Sequence, residues 1–235
     1  MTVVREVPAR ALAVYAHPDD ADVSCGGTLA AWARAGSAVH VVICARGDKG
    51  SLDPSTDPAA LTEMRAQEAA AAADVLGLVG HHLLGRPDGE VDNDLGLRRE
   101  LVALIRSVRP EIVVCPDPTA LFFGSSYVNH RDHREVGWAA VDAVAPAAWS
   151  PLYFPDAGPP HRTQEIWLSG TFEPDIWVDI SSTIDVKAQA LMCHLTQLGE
   201  AGEHLRTIVQ QRAAEAGAEA GVAGAEGFRR ITPAG

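Results

Sequence analysis

The sequence predicts an α/β protein, a Rossmann-like three-layer αβα sandwich with a mostly parallel sheet. Two observations carry that prediction. Short apolar runs alternate with helical stretches through the first 145 residues, the signature of βαβ units with right-handed crossovers. Three of the runs stop abruptly in polar motifs, His17-Pro18-Asp19-Asp20, Arg46-Gly47-Asp48 and Pro116-Asp117, as expected where parallel strands end on a ligand cleft. A length of 235 residues fits one domain spanning 1–235, with a core over about 10–145 and further strands and helices over about 146–235.

Taken in order, residues 11–16 form a continuous apolar run, as in a strand buried on both faces. Gly26 and Gly27 lead into a helix over 28–34 that Gly36 closes. Residues 39–45 read as the second strand. Asp57 caps and Pro58 starts a helix that runs to residue 76 and ends at Gly77. A short strand over 81–84 precedes Pro87-Asp88-Gly89, and an amphipathic helix over 95–108 stops before Pro110. Residues 111–115 make the fourth strand, 117–129 a loop and 130–144 a helix. Residues 146–160 read as irregular, 165–169 and 176–180 as strands, and 183–198 and 200–216 as helices. The Ala/Gly/Glu-rich tail from Gly217 reads as partly mobile.

Composition narrows the function. A formal charge of −12 argues against nucleic acid as partner, since binding phosphates takes clustered Lys and Arg. No stretch approaches a membrane span, which argues against membrane insertion. The beginning of the chain lacks a signal-peptide core, and Cys25, Cys44, Cys115 and Cys193 form no close pair, as in a cytoplasmic protein with free thiols. The expected partner is a small molecule.

His17, Asp19 and Asp20 follow a buried strand, and imidazole and carboxylate are zinc ligands. A catalytic zinc takes three protein ligands, so a third must come from elsewhere, and His130-Arg131-Asp132-His133 is the best cluster. Each element alone is weak; their joint placement at the strand ends is what points to a metal site.

These residues, with Gly26-Gly27-Thr28, Gly47-Asp48, Arg65 and Glu68, Pro87-Asp88-Gly89, Trp177 to Ser181, Lys187, His194 to Gln197 and Ala225 to Arg229, resemble the LmbE-like (PIG-L type) N-deacetylases. That family includes N-acetylglucosaminyl-phosphatidylinositol deacetylases, mycothiol-pathway enzymes and antibiotic pseudo-aglycone deacetylases. The resemblance implies zinc, with other divalent metals such as Fe2+ as alternatives, held by His17, Asp20 and His133. It further implies Asp19 as general base, His130 as oxyanion stabiliser or acid, and Asp132 as the group that orients a histidine. Its substrate would be an N-acylated, sugar-containing small molecule, and members often assemble into homo-oligomers. One departure is Ala21, where the family commonly has Glu.

Bound zinc lowers the pKa of its water to about 7. Asp19 would take the water's proton, and zinc with a protonated His130 would stabilise the oxyanion. Whether Asp19 alone or an Asp19/His130 pair serves the leaving nitrogen stays open in the sequence. Asp48, Arg65 and Asp88 are expected at the cleft rim, binding sugar hydroxyls. Arg65 has a second reading as a surface partner of Glu63 or Glu68, and Asp88 as a turn residue. His40, His81 and His82 read as structural, and His194 as core or rim. The segments 49–57, 117–129 and 146–163 are expected to set specificity. Competing readings are an amidase of thiol conjugates or natural-product intermediates, a metal phosphoesterase, and a degenerate Rossmann-like binding module. The last lacks support, because no G-x-G-x-x-G follows the first strand.

Overall fold

The computed structural model describes residues 2–199 and 202–234. Its main sheet has eight strands in the order β1-β9-β10-β8-β5-β2-β3-β4. The strands are β1 (Thr2–Val4), β2 (Arg10–Tyr15), β3 (Ala38–Ala45), β4 (Gly80–Arg86), β5 (Ile112–Pro116), β8 (Glu165–Ser169), β9 (Ile176–Asp179) and β10 (Ala225–Ile231). A separate hairpin joins β6 (Phe122–Phe123) to β7 (Tyr127–Val128). β10 runs antiparallel to β8 and β9, and every other pairing in the main sheet is parallel.

The period of two along β2 divides its side chains between two cores. Ala11, Ala13 and Tyr15 face one layer of helices, α1 (Asp20–Arg34), α2 (Pro58–Leu76), α5 (Ile184–Leu191) and α7 (Gly202–Ala220). Leu12, Val14 and Ala16 face the other, α3 (Leu95–Val108), α4 (Arg131–Asp142) and the kinked turn Ala143–Ala148. The three-layer expectation therefore holds. Caps act where the sequence placed them: Asp57 accepts from Ala59 N–H, and Gly77 adopts φ 75° to end α2.

Four expectations need correction. α1 begins at Asp20, six residues before Gly26, so the glycine pair lies inside the helix. Two glycines cost a helix about 1 kcal/mol each, but tertiary packing decides here: a Cβ on Gly27 would sit 2.7 Å from Ile180 Cδ1. The helix expected over 183–198 breaks after Leu191 and resumes as the short α6 (Leu195–Leu198). The loop over 117–129 contains the β6–β7 hairpin. The tail is ordered: residues 217–220 continue α7, and β10 pairs on both sides within the sheet. Glu226 anchors it, accepting from Gly27 N–H, Thr28 N–H and Lys187 Nζ at 3.0, 2.7 and 2.5 Å, while Phe228 is fully buried. For the helix expected from residue 200, Glu200 and Ala201 lie outside the described residues.

The irregular segment around 146–160 has an organising centre. Arg106, on α3, is 2% exposed and donates to six carbonyls, those of Ala147, Ala148, Ser150, Tyr153, Phe154 and Gly158. Converging carbonyl dipoles replace the water this charge gave up. Arg106→Met keeps the apolar stem and orphans those acceptors. We expect a loss of about 3 kcal/mol or more in urea unfolding, with new protease cleavage between residues 147 and 158.

Candidate functional site

The site gathers at the C-terminal ends of β2, β4 and β5. After β2, Pro18 fixes φ and offers no N–H, so the chain leaves the sheet. Asp20 Oδ2 accepts the His17 N–H at 2.7 Å and locks the turn. Asp19 occupies the N-cap position of α1, yet its side chain caps nothing, and its Oδ1 is buried without a hydrogen-bond partner. On the other side, His130 caps α4 by accepting the Asp132 N–H on Nδ1 at 3.2 Å. That bond leaves the proton of a neutral His130 on Nε2. His133 follows in the first turn of α4.

His17 is bonded through both ring nitrogens. Nδ1 lies 3.2 Å from His133 Nε2 and 3.3 Å from Asp20 Oδ2, and His133 Nε2 lies 3.1 Å from Asp20 Oδ1. Nε2 lies 3.1 Å from Asp88 Oδ1 and 3.4 Å from Asp132 Oδ2. Two donor clusters meet at this ring: one of His17, His130 and His133, the other of His17, Asp88 and Asp132. The first opens onto the cavity together with Asp19 and Asp20, and Asp88 and Asp132 do not line it. Both Asp132 oxygens are already engaged, by Gly89 N–H and Val91 N–H. Ligands bonded at about 2.0–2.1 Å to a tetrahedral ion stand about 3.3 Å apart. His17 Nδ1 and His133 Nε2, 3.2 Å apart, meet that requirement, and Asp20 approaches each of them through a different oxygen, so these side chains fit a divalent metal on the cavity side, backed by Asp88 and Asp132.

The charges agree. Burial opposes the charged form of His17, but Asp132, Asp20 and Asp88 push its pKa from 6.5 up to about 12. A potential that holds a proton this firmly also favours a cation, which takes the imidazole deprotonated. Burial likewise opposes ionisation of Asp20, yet His133 and His17 hold it well below the usual carboxylate range. Burial, with repulsion from Asp20, lifts Asp19 from 3.8 to about 6. Burial and the neighbouring His17 push His130 down, so the ring is neutral at pH 7, unlike the protonated His130 read from the sequence.

The residues expected at the rim sit elsewhere. Arg65 is 2% exposed and donates to the carbonyls of Gly47 and Gly50, where Gly47 takes φ 68° to make the turn. It pairs with neither Glu63 nor Glu68; Glu68 accepts from Thr196 instead. Asp48 is buried and accepts from Asp88 N–H and from Arg46. Asp88 backs His17. All three lie outside the cavity lining and hold the site from beneath. His194 is fully buried against Asp22, Nε2 to Oδ2 2.9 Å. His40 and His82 bond each other at 3.3 Å, away from the cavity. Of the three segments expected to set specificity, only 117–129 lines it.

Sequence reasoning missed Asn129. Its Oδ1 is 3.0 Å from His133 Nδ1, and its Nδ2 donates to Ala120 O at 2.7 Å. The second bond fixes the amide orientation, which makes His133 Nδ1 a donor and leaves the Nε2 lone pair facing Asp20. Also missed was that α7 and the segment Ala225-Glu226-Gly227, with Tyr127 and Phe123, line the same cavity of about 840 Å³ as the His/Asp cluster.

The sequence profile of PIG-L, described as GlcNAc-PI de-N-acetylase, matches residues 12–144. The chain belongs to the PIG-L family. It is 32% identical to a diacetylchitobiose deacetylase of Thermococcus kodakarensis, over 81% of this chain and 71% of that one. Other curated PIG-L relatives are matched over less of their length, 46% and 64% for two of them. Among solved structures, the N,N'-diacetylchitobiose deacetylase of Pyrococcus horikoshii superposes with a TM-score of 0.87 at 28% identity, covering 96% of this chain and 84% of that one. GalB, the 4-carboxy-2-hydroxymuconate hydratase of Pseudomonas putida KT2440, superposes with a TM-score of 0.80 at 25% identity, covering 96% and 97%. The PIG-L fold thus appears in proteins named for two different reactions of water.

Partners that orient a metal-bound histidine typically contribute 10–100-fold in affinity. Asn129→Ala should therefore raise the dissociation constant for a divalent metal by about 10–100-fold in chelator competition.

Proposed function

We propose that this chain is a zinc-dependent N-deacetylase that cleaves the amide of an N-acylated amino sugar or related glycoconjugate. One observation carries the reading: the His17, Asp20 and His133 side chains meet beside an Asp19 carboxylate whose inner oxygen is unbonded, and all four line the same cavity. Three ligands of the His/Asp type leave room for water, the pattern of a catalytic rather than a structural zinc. When bound, the ion supplies Lewis acidity, which acidifies water and polarises a carbonyl. The relatives named as diacetylchitobiose deacetylases support an N-acetylated sugar as the substrate class.

The chain's own groups divide the proton work. Asp19, raised to about 6, is ionised at neutral pH and accepts a proton from the attacking water. The same carboxyl then returns that proton to the amide nitrogen, so water and amide give carboxylic acid and amine, which part as carboxylate and ammonium at neutral pH. His130 is neutral with its proton on Nε2, so it acts as a hydrogen-bond donor to the carbonyl oxygen as charge builds there. This favours Asp19 alone for both transfers, with His130 as the oxyanion donor. Asp88 and Asp132 keep the His17 ring in one orientation, and Asn129 does the same for His133.

The hydratase likeness supports a second reading, in which the same activated water adds to a carbon–carbon double bond. The competitors separate in one assay. Amine release from N-acetylated chito-oligosaccharides should vanish on treatment with a chelator and return with zinc. Asp19→Asn should lower kcat by about 10²–10⁴-fold while the bound metal stays at the wild-type level. Retained activity in Asp19→Asn would remove Asp19 as the base; water addition to enol acids without any amine release would favour the hydratase.

A further inference from the structure

The cavity lining includes residues that the hydrolytic chemistry does not use. α7 turns one face toward the cavity, Leu205, Val209, Ala213 and Ala216, at the three- and four-residue spacing of a helix face. Phe123 and Tyr127 of the β6–β7 hairpin also line the cavity, and Phe172 packs on Phe123 with ring centroids 4.9 Å apart. These side chains add an apolar and aromatic lining to the His/Asp cluster.

Two cationic side chains other than histidine line the cavity, Lys187 and Arg212. Lys187 is neutralised by Glu226 at 2.5 Å. Arg212, next to Ala213 on the same face of α7, makes no hydrogen bond or ion pair among the described residues. Its neighbourhood reaches the reaction centre: the Tyr127 phenol, pushed up in pKa chiefly by burial, is also raised by Asp20 and Asp19 and lowered by His17 and Arg212. A volume of about 840 Å³ lies toward the upper end of ligand clefts, about 300–1,000 Å³, roomier than an acetylated monosaccharide needs. The arginine fork is suited to bidentate binding of carboxylate or phosphate.

We propose that Arg212 and the apolar face of α7 form a specificity subsite for an anionic group, carboxylate or phosphate, carried on an apolar scaffold attached to the amine half of the substrate. The proposal rests on the deacetylase reading for its chemistry but not for its binding. An acylated amine with that appendage places its amide against Asp19 and its anion against the guanidinium, and the contact orients the bond to be cut. The attraction is partly exposed, so it weakens with salt.

The test compares phenyl N-acetyl-β-glucosaminide with its 4-carboxyphenyl and 4-phosphophenyl counterparts on the zinc-loaded full chain, reading amine release and, separately, equilibrium binding by calorimetry. One charge-assisted hydrogen bond corresponds to about tenfold or more in kcat/KM. We expect a preference of about that size for one or both anionic glycosides over the neutral one, expressed in KM and reduced at high salt. Arg212→Ala should bring the ratio to about 1, Arg212→Lys should keep part of it, and Arg98→Ala, outside the cavity lining, should keep all of it. Carboxylate and phosphate arms tell which anion the subsite takes. Equal kcat/KM for neutral and anionic glycosides in the wild type, or a preference that survives Arg212→Ala, overturns the subsite. If no glycoside is deacetylated, the deacetylase reading fails, and calorimetry still decides the subsite: an Arg212-dependent preference upholds it, and none overturns it.

Discussion

The site depends on one imidazole being held from both sides. His17 gives Nδ1 to the cavity and Nε2 to Asp88 and Asp132. Both residues are held in place by further bonds. Asp132 is fully buried and ties Gly89 and Val91 to α4, while the Asp88 N–H is tied to Asp48. The ring is therefore the meeting point of the turns after β2, β3 and β4 and the first turn of α4. Such a network is costly to bury unless each oxygen finds a donor. Here both oxygens of Asp132 find donors, and the buried inner oxygen of Asp19, the one the chemistry needs, finds none.

A similar economy appears wherever charge is buried. Arg106 and Arg65 donate to carbonyls, Lys187 pairs with Glu226, and His194 bonds Asp22 through Nε2. Each links segments far apart in sequence. Lys187 and Glu226 join α5 to β10, and Glu226 also accepts from the N–H groups of Gly27 and Thr28 in α1. The glycines are thus part of the interface that brings the late strand against the early helix, and their helix-weakening tendency is overridden by that packing.

How much of this was legible depends on how local each signal is. The α/β alternation was readable because β2, β3 and β5 are uninterrupted apolar runs. His17, Asp19, Asp20, His130, Asp132 and His133 were readable as candidates because two short motifs fall at a strand end and a helix start, and the fold brings the two together. Arg65 and Asp48 misled because a charged side chain near a cleft looks the same in sequence whether it faces solvent or backbone carbonyls. The role of Asn129 was invisible, since its meaning lies in a contact with His133 and a bond to Ala120. β10 was hidden for another reason. Ala225-Glu226-Gly227-Phe228-Arg229-Arg230-Ile231 has no clean period of two, because Glu226 is buried on an ion pair rather than exposed. Likewise the alanines of α7 gave no sign that one face walls a cavity.

The position of β10 bears on how the chain reaches its native state during synthesis. It lies between β9 and β8, and it follows both of them, and every other strand of the sheet, along the polypeptide. Until it emerges from the ribosome, β8 and β9 each present an unpaired edge, and β9 carries only the three-residue β1 on its other side. Unpaired edges of this kind recruit strands from other chains. The nascent protein must hold a gap open in its sheet, lined by Trp167, Trp177 and Ile176, for the last strand to fill. The hydrolytic cluster on β2 and α4 is complete some ninety residues earlier, so the metal could dock on a chain whose substrate cavity does not yet have its far wall.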